Sequence, residues 1–235
     1  MIKFFRKIRY NLMETNKTGK YLKYAIGEVV LVIIGILIAL AINEQTKKKD
    51  NNNLRNLYIV QLNDEVEQNI NELIDTKNST FEMLKELDTL LKILINKDHD
   101  NPKLFSKSVN LYRAYQFNPI AVTYENLKFS GDLKLFNDLD LRNSISNAYQ
   151  SFNYIRTVED IDENIKTSNY REYFMPNARL MDMSMSSNNF GKDAYFENMV
   201  LTRIGVLRQN GDAYDNSIEL LNELKVTFPE LLDNN

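Results

Sequence analysis

The stretch Tyr24–Ile42 reads YAIGEVVLVIIGILIALAI, and only Glu28 among its nineteen residues carries a charge. As an α-helix it would be roughly 29 Å long, which is about the thickness of the hydrocarbon core of a bilayer. The eleven Val, Leu and Ile residues between Val29 and Ile42 favour insertion by about 5 kcal/mol in total, whereas an acid at the bilayer centre costs about 3 kcal/mol. Glu28 lies near one end of the stretch, so its cost is lower. The sequence therefore predicts a transmembrane helix over residues 24–43.

Basic residues are concentrated before this predicted helix. Seven Lys and Arg residues lie in residues 1–23, and four follow the helix closely, namely Lys47, Lys48, Lys49 and Arg55. An excess of basic residues marks the cytoplasmic flank of a span, so we expect residues 1–23 to be cytoplasmic and residues 44–235 to form an extracytoplasmic domain. In a bacterium with two membranes, this topology describes a single-pass inner-membrane protein with a periplasmic domain.

The first thirteen residues, MIKFFRKIRYNLM, allow two interpretations. A helix places Phe4, Phe5, Ile8 and Leu12 on one face, which is typical of an amphipathic helix in the membrane interface. The cations could instead serve only as the positive flank that orients the span. A cleavable signal peptide is a further alternative, because residues 39–41 read Ala-Leu-Ala, but the long basic region and the long apolar run favour a retained anchor.

Three segments combine features found together in one known family: FFRKIRYNL (residues 4–12), KYLKYAIGEVVLVIIGILIALAIN (20–43) and TYENLKFSGDLKLFNDLDLRNSISNAY (123–149). In order and spacing they resemble an uncharacterised family of small single-pass membrane proteins from Bacteroidota. The chain differs just after the span, where that family usually carries polar and Trp residues, because it has Ala41 there and no Trp at all. The resemblance implies an inner-membrane protein with a helical extracytoplasmic domain, and it implies no known activity.

The region after the predicted span has the composition of one helical domain. Its 192 residues carry a net charge of −8 and can bury one sizeable core. Nucleic-acid binding needs a clustered basic face, which this acidic region lacks. The chain has no Cys, which excludes disulfides, thiolate chemistry and zinc sites of the Cys type. Its seven Gly and four Pro favour long helices over a turn-rich β architecture.

Apolar residues between Leu54 and Ile95 recur every three or four positions, as in an amphipathic helix. The polar run Asn43–Asn53 contains no Gly or Pro, so we expect the helix of the span to continue through it. A bend or a second helix start at Thr76–Thr80 stays open. A heptad pattern would place four polar residues in the seam of a coiled coil, namely Asn69, Thr76, Lys77 and Thr80. The pattern therefore favours packing within a bundle.

Further helices follow this one along the chain. We expect a helix from Pro102 to about Phe117, a short helix Val122–Ser130 ended by Gly131, a helix from Asn137 or Asp138 to about Phe174, and a last helix from about Asp193 to Phe228. The run Met175–Gly191 is rich in Met, Ser and Asn and is expected to be a loop, and Asn210-Gly211 could kink the last helix. The predicted fold is all-α: an N-terminal amphipathic helix, one transmembrane helix and an elongated antiparallel helical bundle.

Few residues suggest chemistry. His99 is the only histidine and is flanked by Asp98 and Asp100, but a transition-metal site generally needs three or four converging ligands. Helical spacing distributes an acidic cluster over a solvated face, namely Asp160, Asp162 and Glu163. The sequence contains no phosphate loop, nucleophile elbow or paired-histidine motif. We therefore expect no catalysis, no cofactor and no metal site.

Three functions remain possible. The first is a structural or interaction protein that holds an envelope partner, and the second is a sensor or ligand-binding module that acts through a membrane partner. The third is an accessory subunit of an ion-driven membrane complex that uses Glu28. Gly35 and Ala39 lie four residues apart, as in small-xxx-small packing motifs, and Glu28 lies two turns before Gly35. We expect this face to bind either a second copy or a membrane partner, and the identity of any small-molecule ligand stays open.

Overall fold

The computed structural model describes Tyr10, residues 18–179 and residues 181–233. The chain divides into two compact units, with the boundary between Arg55 and Asn56. Long helices dominate the described residues, so the predicted all-α class is confirmed. The predicted amphipathic helix of residues 1–13 lies outside the described residues, apart from Tyr10.

The first helix, α1, spans Thr18–Ile95. It continues through the polar run 43–53, as predicted, and it is also unbroken at Thr76–Thr80. The side chains of Thr76 and Thr80 are buried. Their burial explains why these two threonines interrupt the apolar stripe without interrupting the helix.

The helices after α1 belong to the second unit. They are α2 (Leu104–Ser108) with a 3-10 turn (Val109–Leu111), α3 (Val122–Ser130) with a 3-10 turn (Asp132–Leu135), α4 (Leu139–Asn169) with a π-helical turn (Tyr170–Phe174), α5 (Met175–Asn177) and α6 (Ala194–Asp233). Strands β1 (Ala178–Arg179) and β2 (Ser184–Met185) pair antiparallel, with Ala178 opposite Met185 and Arg179 opposite Ser184.

Hydrogen bonds and ion pairs show that four segments of the second unit run antiparallel in chain order. The return segment, residues 104–135, runs back along α1, as these pairs show: Lys107 with Glu86, Ile120 with Asn69, and Asp132 with Tyr58. Along α4 and α6 the contacts are Tyr154 with Gln209 and Ser151 with Ser217. The predicted antiparallel bundle is therefore confirmed.

The return segment differs from the prediction. The helix expected to reach about Phe117 ends as α2 at Ser108, and residues 112–121, the non-helical segment, form no regular structure. The expected short helix is present as α3, and Gly131 ends it with a left-handed φ of 74°. Asp138 caps α4 by accepting hydrogen bonds from the backbone N–H groups of Asp140 and Leu141. Met175–Gly191, expected to be a loop, contains α5 and the β1–β2 hairpin.

Two hydrophobic clusters form the core of the second unit. Along α1, the first cluster takes residues 59–73 and the second takes residues 83–94. Buried polar residues occupy the levels between these clusters, namely Thr76 and Thr80 of α1, Glu159 and Asp162 of α4, and Asn210 of α6. Burying a polar group is costly unless it finds a hydrogen-bond partner. The buried polar residues at this level therefore need partners within the bundle.

Candidate functional site

The non-helical segment crosses this polar layer without the hydrogen bonds of a helix. Its backbone N–H and C=O groups therefore need other partners wherever they are buried. Three buried side chains from the three long helices supply them: Asn69, Glu159 and Arg203. This arrangement explains why α2 ends at Ser108, since the bundle provides side-chain partners in place of a helix.

Glu159 of α4 holds the centre of the segment. Its Oε1 accepts hydrogen bonds from the backbone N–H of Phe117, at 2.9 Å, and from the hydroxyl of Tyr214, at 2.7 Å. Burial raises the pKa of Glu159, and these two hydrogen bonds oppose the rise. The carboxyl group therefore connects the non-helical segment, α4 and α6 at one point.

Asn69 of α1 holds the end of the segment, and Glu65 of α1 holds the first turn of α3, which follows it. Asn69 is fully buried; its Nδ2 donates to the Ile120 carbonyl at 2.7 Å, and its Oδ1 accepts from the Ile120 N–H at 2.8 Å. Glu65 accepts from the Thr123 N–H at 2.8 Å and from the Tyr149 hydroxyl at 2.6 Å. An acceptor and a donor on one amide side chain thus satisfy both backbone groups of Ile120.

Arg203 of α6 holds the beginning of the segment. Its guanidinium is 1% exposed, pairs with Asp162 of α4, and donates to the carbonyl oxygen of Arg113. Burial lowers the pKa of Arg203 to about 10, so the group stays charged at neutral pH. The prediction that Asp162 lies on a solvated face is wrong: Asp160 is exposed, but Asp162 is buried against this guanidinium.

A polar pocket of about 260 Å³ lies between the non-helical segment and α4. Its lining comprises residues 116–119 and, from α4, Phe152, Asn153, Ile155, Arg156, Glu159 and Asp160. Both hydrogen bonds to Glu159 end on the same oxygen. The pocket combines cationic, anionic, amide and aromatic groups, so it could bind a small polar molecule.

The apolar part of α1 forms the other candidate site. It includes a window long and apolar enough to cross a membrane, with a mean hydropathy of 2.9 and no buried residue. The eleven Val, Leu and Ile side chains from Val29 to Ile42 are 47–63% exposed. Gly35 and Ala39 both lie in this helix, so their spacing places them on one face, and a Cβ at Gly35 would meet nothing within 4 Å. Glu28 is partly buried.

The model of a family of unknown function, DUF6090, matches residues 28–204, which is three quarters of the chain. The chain belongs to this family. No curated protein and no solved structure matches the chain. The DUF6090 match contains the whole non-helical segment, the three side chains that hold it and Glu65, whereas Tyr214 lies beyond its end.

The residues that suggested chemistry in the sequence of this DUF6090 chain form no metal site among the residues that the structure describes. His99 lies in the turn between α1 and α2, where Asp98 accepts a hydrogen bond from the side chain of Asn101 at 2.7 Å. Within residues 18–179 and 181–233, no group of three or more His, Cys, Asp or Glu side chains could hold a metal ion. Sequence reasoning noted Asn69 as a polar residue in an apolar stripe, but it missed Glu65, Glu159 and Arg203, whose partners are distant in sequence.

Proposed function

We propose that the protein is a membrane-anchored helical interaction protein of the bacterial cell envelope, without catalysis of its own. The apolar part of α1 crosses the inner membrane once, and the helical domain holds a partner protein in the periplasm. The observation that carries this proposal is the exposure of eleven large apolar side chains on one helix. An apolar surface of this size and length fits the interior of a bilayer.

The topology part of the proposal rests on the seven-to-four basic asymmetry across the span. A reporter that is active only in the cytoplasm, fused after Asn235, should be silent, and a reporter active only in the periplasm should give signal. The protein should also remain in the membrane after alkaline washing. Cytoplasmic signal would contradict the orientation, and a mature protein that begins near Ile42 would contradict the anchor.

The partner part of the proposal uses the face of Glu28, Gly35 and Ala39. Small residues four apart let two helices approach closely, and an acid on the same face can bond to a partner instead of facing lipid. This face binds either a second copy of the chain or a larger membrane protein. Crosslinking in membranes, followed by pull-down of the tagged full chain, should recover a stoichiometric partner.

A matched pair of variants tests this face. Gly35→Ile should strongly reduce association in a membrane two-hybrid or crosslinking assay, because the larger side chain separates the helices. Ala41→Ile lies on another face of the same helix and should have little effect. Equal behaviour of the two variants would show that the Gly35 face contacts only lipid.

The polar pocket favours a second candidate function, that of a ligand-binding module. Its volume of about 260 Å³ and its mixed charges suit a small zwitterion or amine. In a thermal-unfolding screen of the full chain against such molecules, a ligand should raise the unfolding temperature, and Asn153→Phe should remove this increase by filling the pocket. Asn147→Phe, an exposed position of α4 outside the pocket, should retain it. Equal responses of the two variants would place the ligand elsewhere.

A further inference from the structure

The β1–β2 hairpin carries exposed methionines that lie outside both hydrophobic clusters. The sequence MDMSM places Met181, Met183 and Met185 at alternate positions, and their side chains are 102%, 56% and 41% exposed. By contrast, Met83 and Met199 are buried in the second hydrophobic cluster. Methionine usually fills gaps in apolar cores, so three neighbouring exposed methionines require another explanation.

The hairpin holds these three residues close together. Its base is fixed by the pairing of Ala178 with Met185 and by the hydrogen bond from the Ser186 N–H to the Asn177 carbonyl, at 3.0 Å. Met183 adopts a left-handed φ of 53° in the connecting turn. Residues two apart have Cα atoms separated by at most about 7 Å, and each methionine has three rotatable side-chain bonds. The three thioether sulfurs can therefore reach one common point above the hairpin.

We propose that Met181, Met183 and Met185 form a binding site for a soft monovalent metal ion, Cu(I) or its analogue Ag(I). Thioether ligands select Cu(I), whereas carboxylate and carbonyl oxygens suit hard ions such as Mg²⁺ and Ca²⁺. A thioether carries no titratable proton, so this ligand set stays competent over a wide pH range. The chain has no Cys, so no thiolate of its own competes for the ion.

Methyl NMR of the full chain in detergent micelles tests the site. With ¹³C-methyl methionine, one molar equivalent of Ag(I) should shift three of the eight methionine methyl resonances. The shifted signals should be those that disappear in the single variants Met181→Leu, Met183→Leu and Met185→Leu. Leu keeps the apolar volume and removes only the sulfur, and volume-conserving exchanges of this kind are well tolerated.

Competition with a chromophoric Cu(I) chelator, under anaerobic conditions with ascorbate, measures affinity. Each of the three Leu variants should weaken Cu(I) binding at least roughly tenfold, since the loss of even an outer-shell group costs that much at metal sites. Met175→Leu is the matched control, because Met175 is also exposed, at 52%, but lies outside the alternating set. The proposal is overturned if no methyl resonance shifts at one equivalent, if the triple Leu variant binds as tightly as the natural chain, or if Met175→Leu weakens binding equally.

Discussion

Replacing Asn69 with Leu should destabilise the domain through the backbone of a distant residue. Asn69 is fully buried and makes hydrogen bonds of 2.7 and 2.8 Å to the carbonyl and N–H of Ile120. Leu has nearly the same shape but cannot make either bond, so both backbone groups lose their partner. An unsatisfied buried donor or acceptor costs about 1–3 kcal/mol. Because Ile120 is 39% exposed and water can partly replace the amide, we expect a loss of about 2–4 kcal/mol in the free energy of unfolding.

Thermal unfolding of the detergent-solubilised full chain, followed by circular dichroism, measures this loss. A domain of this size loses about 2–4 °C of unfolding temperature per kcal/mol, so the expected decrease is roughly 10 °C. Asn71→Leu is the matched control, because Asn71 is exposed on the same helix and should change stability by less than about 0.5 kcal/mol. Hydrogen exchange should also accelerate at Ile120 and Phe117. If Asn69→Leu is no less stable than Asn71→Leu, the reasoning about side-chain support of the non-helical segment is refuted.

Three other substitutions test the polar layer and a helix end. Burial raises the pKa of Glu159, so the folded protein keeps this proton to a higher pH than the unfolded chain, and its stability decreases as pH rises from the ordinary Glu pKa through the raised one. Urea unfolding from about pH 4 to 8 measures the free energy of unfolding of the natural chain and of Glu159→Gln. The value for the natural chain minus the value for the variant should fall as pH rises. A difference that stays constant would contradict the raised pKa of Glu159. Arg203→Met leaves Asp162 buried and unpaired, so it should lower the free energy of unfolding by about 3–5 kcal/mol. Adding Asp162→Leu should recover most of this loss. If the losses of the two substitutions simply add, the result would argue against the ion pair. Gly131→Ala should lower the free energy of unfolding by about 1 kcal/mol because Gly131 has a φ of 74°. The control Gly205→Ala, within α6, should be neutral or stabilising. Equal effects of the two substitutions would contradict the conformational explanation.

The elements that could be predicted from sequence depend on neighbouring residues. A helix of period 3.6 needs apolar residues three and four apart, and this pattern is visible from Leu54 to Ile95. The left-handed end at Gly131 and the cap at Asp138 are equally local, because each acts within one helical turn. The exposed apolar stretch of α1 follows from composition alone.

The non-helical segment could not be predicted in this way. Residues from Pro102 to Phe117 suit a helix locally, but the structure ends that helix at Ser108. The groups that replace the helical hydrogen bonds are 42 residues away for Phe117, 51 for Ile120 and 90 for Arg113. No local pattern contains such partners, so tertiary packing decided this part of the fold.

The sequence by itself determined the long helices, the helix end at Gly131, the cap at Asp138 and the apolar stretch of α1, since each depends on residues within a few turns of the chain. Tertiary structure alone decided which polar residues are buried. Asp162 resembles its exposed neighbour Asp160 in sequence, but it faces Arg203 because α4 and α6 run antiparallel and bring these residues together. The tertiary structure likewise decided that the methionines from Met181 to Met185 lie on an exposed hairpin. Burial depends on what the rest of the chain places beside a residue, and that information is non-local.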